Sequence, residues 1–217
     1  VEEQPTGAIS ATLGYAQSFG LMLGANYQQQ NALGTGNSIT FGLGWSDFSK
    51  SVSFNFFDPY FTADGISRGF NSFFRRSNFA EQNIAGYSSD AVGMGFTFGF
   101  PLDETQRIQA GLSVEHTDVT EGLYSSLEIS DFLFREGNEF LNYMIQVGWQ
   151  YSTLNRGLFP TAGRSQTFKF VIAGPGSDVS SYKVSYDGEM YFPFRKDWSL
   201  RLWTELGYGG IYGDTET

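Results

Sequence analysis

The chain has 217 residues, a length that suits one all-β domain or barrel. Its net charge of −10 argues against a nucleic-acid surface, and its lack of cysteine excludes a disulfide framework and a thiolate zinc site. Aromatic residues at 18% and 27 glycines suit strands whose bulky side chains point outward and whose small ones point inward.

The first predicted element is Gly7–Tyr15. Ile9, Ala11, Leu13 and Tyr15 alternate with Ala8, Ser10, Thr12 and Gly14, the period-two mark of a strand with one apolar face. Leu21, Leu23, Ala25 and Tyr27 repeat the pattern, and the breakers Gly34-Thr35-Gly36-Asn37 follow. Ile39, Phe41, Leu43 and Trp45 form the third strand, and Val52, Phe54 and Phe56 the fourth, which Asp58-Pro59 ends. A fifth strand, Ile66 to Arg76, is the least regular. Val92, Met94, Phe96, Phe98 and Phe100 then alternate with mostly glycine up to Pro101.

The seventh strand carries Ile108, Ala110, Leu112 and Val114, and the eighth Tyr143, Ile145, Val147, Trp149 and Tyr151. Phe168, Phe170 and Ile172 mark the ninth. Tyr182, Val184, Tyr186 and Met190 mark the tenth, and Trp198, Leu200, Leu202 and Leu206 the eleventh. All six prolines are expected at strand boundaries, as a hydrogen-bonded sheet requires. Within the longest connection, 116–141, the spacing of Leu127, Ile129, Phe132 and Leu133 predicts a short surface helix between Leu127 and Phe134.

No apolar run approaches the ~18 residues of a membrane helix, but barrel strands hide their apolarity in alternation. Two features point to a transmembrane barrel rather than a soluble β-sandwich. The charges Glu115, Lys169, Lys183, Asp187, Glu189, Arg201 and Glu205 all fall on the polar face, as lipid on the other face would select. Tyr15, Tyr27, Trp45, Tyr143, Trp149, Tyr151, Trp198 and Tyr208 fall at or near the ends of apolar faces, where interfacial girdles sit. Long connections alternate with compact, proline-bearing ones, which orients the N-terminus toward the periplasm. The start Val1-Glu2-Glu3 reads as a mature or excised terminus rather than a signal peptide.

Catalytic and metal readings are weak. His116 and Asp118, placed in the long loop, resemble an acid–base pair, but a His-x-Asp alone lacks a second orienting group. Asp58, Asp64 and Asp178 lack the dense acidic spacing of a calcium loop, and turn formation explains them better. No cofactor is implied.

Several turns carry a family resemblance. Asn31-Ala32-Leu33-Gly34-Thr35-Gly36 is similar to the first periplasmic turn of the BamA family, the central subunits of the barrel-assembly machinery. Asp58-Pro59-Tyr60-Phe61-Thr62-Ala63-Asp64-Gly65 resembles the second turn, and Asn155-Arg156-Gly157-Leu158-Phe159-Pro160-Thr161-Ala162-Gly163 the fourth. Pro175-Gly176-Ser177-Asp178, followed by Tyr182-Lys183-Val184, is also similar. The resemblance implies an all-β, antiparallel up-and-down meander: about eleven strands of a sixteen-stranded outer-membrane barrel, with 1–217 as its N-terminal part and 116–141 as a long extracellular loop. POTRA domains and the last strands, with their Val-Arg-Gly-Phe loop, would lie outside this stretch.

The resemblance further implies a non-enzymatic insertase of the outer membrane. Its partners would be unfolded outer-membrane protein clients, lipoprotein subunits of the machinery bound mainly through the POTRA domains, and outer-membrane lipid and lipopolysaccharide. Client strands would pair with Gly7, Ala8, Ile9, Ser10, Ala11, Thr12, Leu13, Gly14 and Tyr15, the first strand, at a lateral gate. A secretion barrel of the same superfamily and a passive outer-membrane pore are the alternatives.

Overall fold

The computed structural model describes residues 6–17, 20–79, 86–122, 125–195 and 198–212. Eleven strands form one sheet in strict chain order, each antiparallel to the next. They are β1 (Gly7–Ala16), β2 (Gly20–Gln29), β3 (Ser38–Trp45), β4 (Ser49–Asp58), β5 (Ser67–Asn78), β6 (Tyr87–Pro101), β7 (Gln106–Glu121), β8 (Glu139–Ser152), β9 (Gly163–Ala173), β10 (Ser181–Arg195) and β11 (Trp198–Ile211). The sheet is open: among the described residues β1 pairs only with β2, and β11 only with β10. The predicted start at Val1–Glu3 and the last residues, 213–217, lie outside the described residues.

The architecture is inside-out relative to a soluble domain. Among the described residues, the buried apolar side chains are only Ala32, Ala91, Leu133, Phe140 and Ala173. Large apolar residues instead stand exposed along one face, for example Leu112 at 63% and Phe96 at 54%. The opposite face carries glycine, serine, threonine and asparagine, and it is tighter: Gly93, Gly95 and Gly99 are buried on β6 while Val92, Met94 and Phe96 are exposed. No helix among the described residues is long and apolar enough to cross a membrane, so the strands are the candidates for crossing.

Three expectations are corrected. The strands around the longest connection run further than the apolar alternation, because ladder bonds continue after the outward residues turn polar. β7 extends to Glu121 and β8 begins at Glu139, so the connection is 122–138 rather than 116–141, and His116 and Asp118 are strand residues rather than loop residues. His116 pairs with Val92 on one side and Leu141 on the other. Pro193 is not at a boundary. It lies inside β10 opposite Ser199, where a register shift toward Arg195 absorbs its missing donor.

The helix forms where its spacing predicts one and runs two residues further, as α1 (Leu127–Glu136). The Ser126 hydroxyl accepts the Ile129 N–H at 3.4 Å, and the Gly137 N–H closes the other end on the Leu133 carbonyl at 3.0 Å. Leu133 anchors the helix by burial, and Phe132 stacks on Phe140 of β8 at 5.7 Å.

Candidate functional site

Among the described residues, the first strand pairs on one side only, with β2. The Gln30 N–H donates to the Thr6 carbonyl at 2.6 Å, and these two residues share the register of the β1–β2 ladder. In an antiparallel pair, hydrogen-bonded positions recur every second residue. Ala8, Ser10, Thr12 and Gly14 therefore exchange bonds with β2, opposite Gln28, Asn26, Gly24 and Met22. The N–H and C=O groups of Gly7, Ile9, Ala11, Leu13 and Tyr15 point the other way, to the open side. The side chains of Ile9, Leu13 and Tyr15 are 82%, 75% and 78% exposed. The inner face of β1 carries nothing larger than Thr12, so little side-chain bulk stands against an incoming strand.

The outward face shows why apolar and charged residues share a register. Across the strand pairs, one outward row reads Leu13, Leu23, Trp45, Lys50, Arg76, Asp90, Asp118 and Glu139. It changes from apolar to charged between Trp45 and Lys50. A second row starts at Asp58 and Arg68 and continues through Phe98, Ala110, Val147, Phe170 and Val184 to Tyr208. Strands in barrels tilt and stagger, so a row followed along hydrogen bonds climbs through the membrane. The first row leaves the apolar band at one boundary, and the second enters it at the other.

The aromatic residues expected to form girdles lie near strand ends. Trp45 is the last residue of β3 and 40% exposed, and Tyr27 lies near the end of β2, where its hydroxyl donates to Gln29 at 3.0 Å. Trp149 and Tyr151 stack at 6.1 Å near the end of β8, with the Arg164 guanidinium 5.0 Å over the Tyr151 ring. Trp198 opens β11 at 73% exposure, and Tyr208 lies toward its other end at 69%. Arg76 and Asp90 form an outward ion pair on adjacent strands, and Asp58 binds Arg68 at 3.1 Å. Both pairs escape sequence reasoning, because only the register brings their members together.

Apart from Glu115 on β7, the polar-face charges expected from the sequence lie on β9 to β11. Arg201 binds Glu189 at 3.1 Å, and Asp187 stands opposite Glu205. Among the described residues no group of three His, Cys, Asp or Glu side chains is arranged to hold a metal. Asp58 and Asp178 are used locally instead. Asp58 accepts the Tyr60 N–H at 3.2 Å, and Asp178 accepts the Leu141 N–H at 2.6 Å, extending the ladder past the end of β9. Outside the strands, hydrogen bonds from the Thr105 hydroxyl and backbone N–H hold the Asp103 carboxyl below the usual carboxylate range. The backbone N–H of Glu128 itself and the Ser126 hydroxyl do the same for Glu128 at the start of α1.

Comparison with known proteins fits this geometry. Residues 31–217 match the Omp85 superfamily domain. Over 99% of its length the chain is 30% identical to the outer membrane protein assembly factor BamA of Neisseria meningitidis serogroup B, of which it spans 28%. It is 24% identical over 55% of its length to BamA of Buchnera aphidicola. The crystal structure of BamA from Haemophilus ducreyi lacking POTRA domains 1–3 superposes with a TM-score of 0.83 and 29% identity, over 98% of this chain and 42% of that one. The open eleven-stranded meander, with its bulky face outward and its small polar face inward, thus corresponds to part of a known outer-membrane barrel, and the chain belongs to the Omp85 superfamily.

Proposed function

We propose that the chain is the front of an outer-membrane assembly barrel that folds and inserts other barrel proteins by pairing them with β1. The observation that carries this reading is the match to BamA relatives over nearly the whole chain, within which β1 directs the N–H and C=O groups of five alternate residues away from β2. Such groups are costly in lipid, and a client strand with the same need satisfies both edges at once. Recognition through the main chain tolerates many client sequences, and the small inner face of β1 adds little selectivity. No nucleotide chemistry is required, because the client's own folding drives insertion.

Clients are unfolded outer-membrane proteins. Lipoprotein partners engage domains N-terminal to the barrel, as in the assembly machinery to which the BamA relatives belong. The N-terminus faces the periplasm, and the 122–138 connection with α1 faces outside. The 122–138 connection is longer than any connection on the opposite rim, which supports this orientation.

The test is single cysteines placed at residues 8 to 14 of the full-length protein, with a cysteine in the terminal strand of a stalled client. Crosslinks are expected to shift register step by step along β1. Ala11→Pro, which removes a donor on the open side, is expected to abolish capture, while Ser10→Ala leaves it intact. Crosslinks found only within the barrel's own chain, with clients never captured, would refute strand pairing.

A further inference from the structure

Ala11 and Ala25 stand opposite each other on the outward face of β1 and β2, in a neighbourhood of much larger side chains. Their small size leaves an outward depression of about 610 Å³, walled by Leu13, Leu23, Leu43, Val52 and Phe74. That volume lies within the usual range for a small-molecule site, and the walls are almost wholly apolar. The upper end is different. There Trp45 and Lys50 form a cross-strand pair and both line the depression. Lys50 has no acidic partner among the described residues, and the neighbouring Arg76 is engaged by Asp90. This is also the point at which the outward row passes from apolar to charged, so the Lys50 ammonium sits at the level of lipid headgroups.

We infer that this depression holds one membrane lipid with a phosphate headgroup: an acyl chain lies over Ala11 and Ala25, the indole of Trp45 sits at the interface, and the phosphate meets Lys50. The charge complementarity is specific. A zwitterionic headgroup gains less, because its own cation competes at the same level. An apolar chain alone would fill the depression without using Lys50. The site includes Ala11 and Leu13, so the bound lipid stands against β1. The inference rests on the strands' crossing a membrane and not on client pairing, and its variants spare the β1 backbone.

The experiment is native mass spectrometry of the full-length protein released from bilayers of mixed phosphatidylglycerol and phosphatidylcholine, counting the lipid each variant retains. The unaltered protein is expected to prefer phosphatidylglycerol by about fivefold, the effect of one cation near a membrane surface. Lys50→Gln is expected to remove the preference, and Lys50→Arg to keep it. Ala25→Phe, which fills the depression with a side chain that lipid tolerates, is expected to reduce retention of both lipids. Heat-modifiable migration verifies that each variant is folded. Equal retention of the two lipids by the unaltered protein, an undiminished preference in Lys50→Gln, or full retention in Ala25→Phe would each overturn the assignment. Displacement of the lipid by inorganic phosphate would also overturn it, by showing a bare anion site.

Discussion

Arginine scanning along one face of β3 tests the membrane assignment quantitatively. The strand has 8 residues, which at the usual rise and a barrel tilt spans roughly 20 Å of membrane normal. Its outward residues are Ile39, Phe41, Leu43 and Trp45, with Trp45 beside Lys50 at one boundary and Ile39 beside Gln29 near the other. Phe41, flanked by Tyr27 and Phe54, and Leu43 lie between these two levels. Phe41→Arg is therefore expected to cost about 3 kcal/mol, near the value for a cation at the bilayer midplane. Leu43→Arg sits about 5 Å below the Trp45 level, within reach of a snorkelling side chain, and is expected to cost about 2 kcal/mol. Trp45→Arg is expected to cost about 1 kcal/mol or less. Thr40→Arg, on the wet face between Gln28 and Asn55, should fall within about 0.5 kcal/mol of neutral. The assay is equilibrium urea unfolding of the full-length protein in lipid vesicles. A flat profile across the outward positions, or a larger cost for Thr40→Arg than for Phe41→Arg, would refute the assignment of faces and depth.

Two further outcomes follow from local geometry. A Cβ at Gly93 would stand 2.8 Å from the Phe73 ring and 3.0 Å from the Val114 carbonyl oxygen, whereas one at Gly24 meets Thr12 at 3.6 Å. In the same unfolding assay, Gly93→Ala is expected to destabilise by about 1–3 kcal/mol, and Gly24→Ala to be neutral or mildly stabilising. The Asp103 carboxyl is depressed by bonds from Thr105, so its contribution to order in the β6–β7 turn is present above the ordinary carboxylate pKa and is lost as pH falls through the lower folded value. An NMR titration of Asp103 is expected to show this depressed midpoint, and Thr105→Val to raise it; an unchanged midpoint in the variant would rule out the hydroxyl as the main cause.

The strands were legible because lipid imposes period-two alternation on them, and that pattern is local. Their ends were less so. Beyond the apolar band, Ser88, Ser89 and Asp90 on β6 pair with Thr120, Val119 and Asp118 on β7, but nothing selects outward apolarity there and the signal stops while the ladder continues. For the same reason His116 and Asp118 read as loop residues. α1 was legible from its apolar spacing, but its last turn was missed because Arg135 and Glu136 are polar and the Gly137 cap lies beyond them. Lys50 could not be singled out, because its meaning comes from standing opposite Trp45, and register is a property of two strands at once. The residues of β1 were legible as a strand, but which of them face the open side depends on the single bond between Gln30 and Thr6.

The climbing rows on the outer surface have a consequence for error correction. A slip of one residue between neighbouring strands inverts their faces, so the pleat itself rejects it. A slip of two residues preserves parity, and the pleat is blind to it. Such a slip moves one strand along its neighbour by roughly 7 Å. At β4 that displacement would carry Lys50 into the hydrocarbon or lift Phe54 toward water. The bilayer measures height where the pleat measures parity, so the two checks together leave one alignment. A barrel of this kind is proofread by the solvent it enters, and its register becomes fully determined only on insertion.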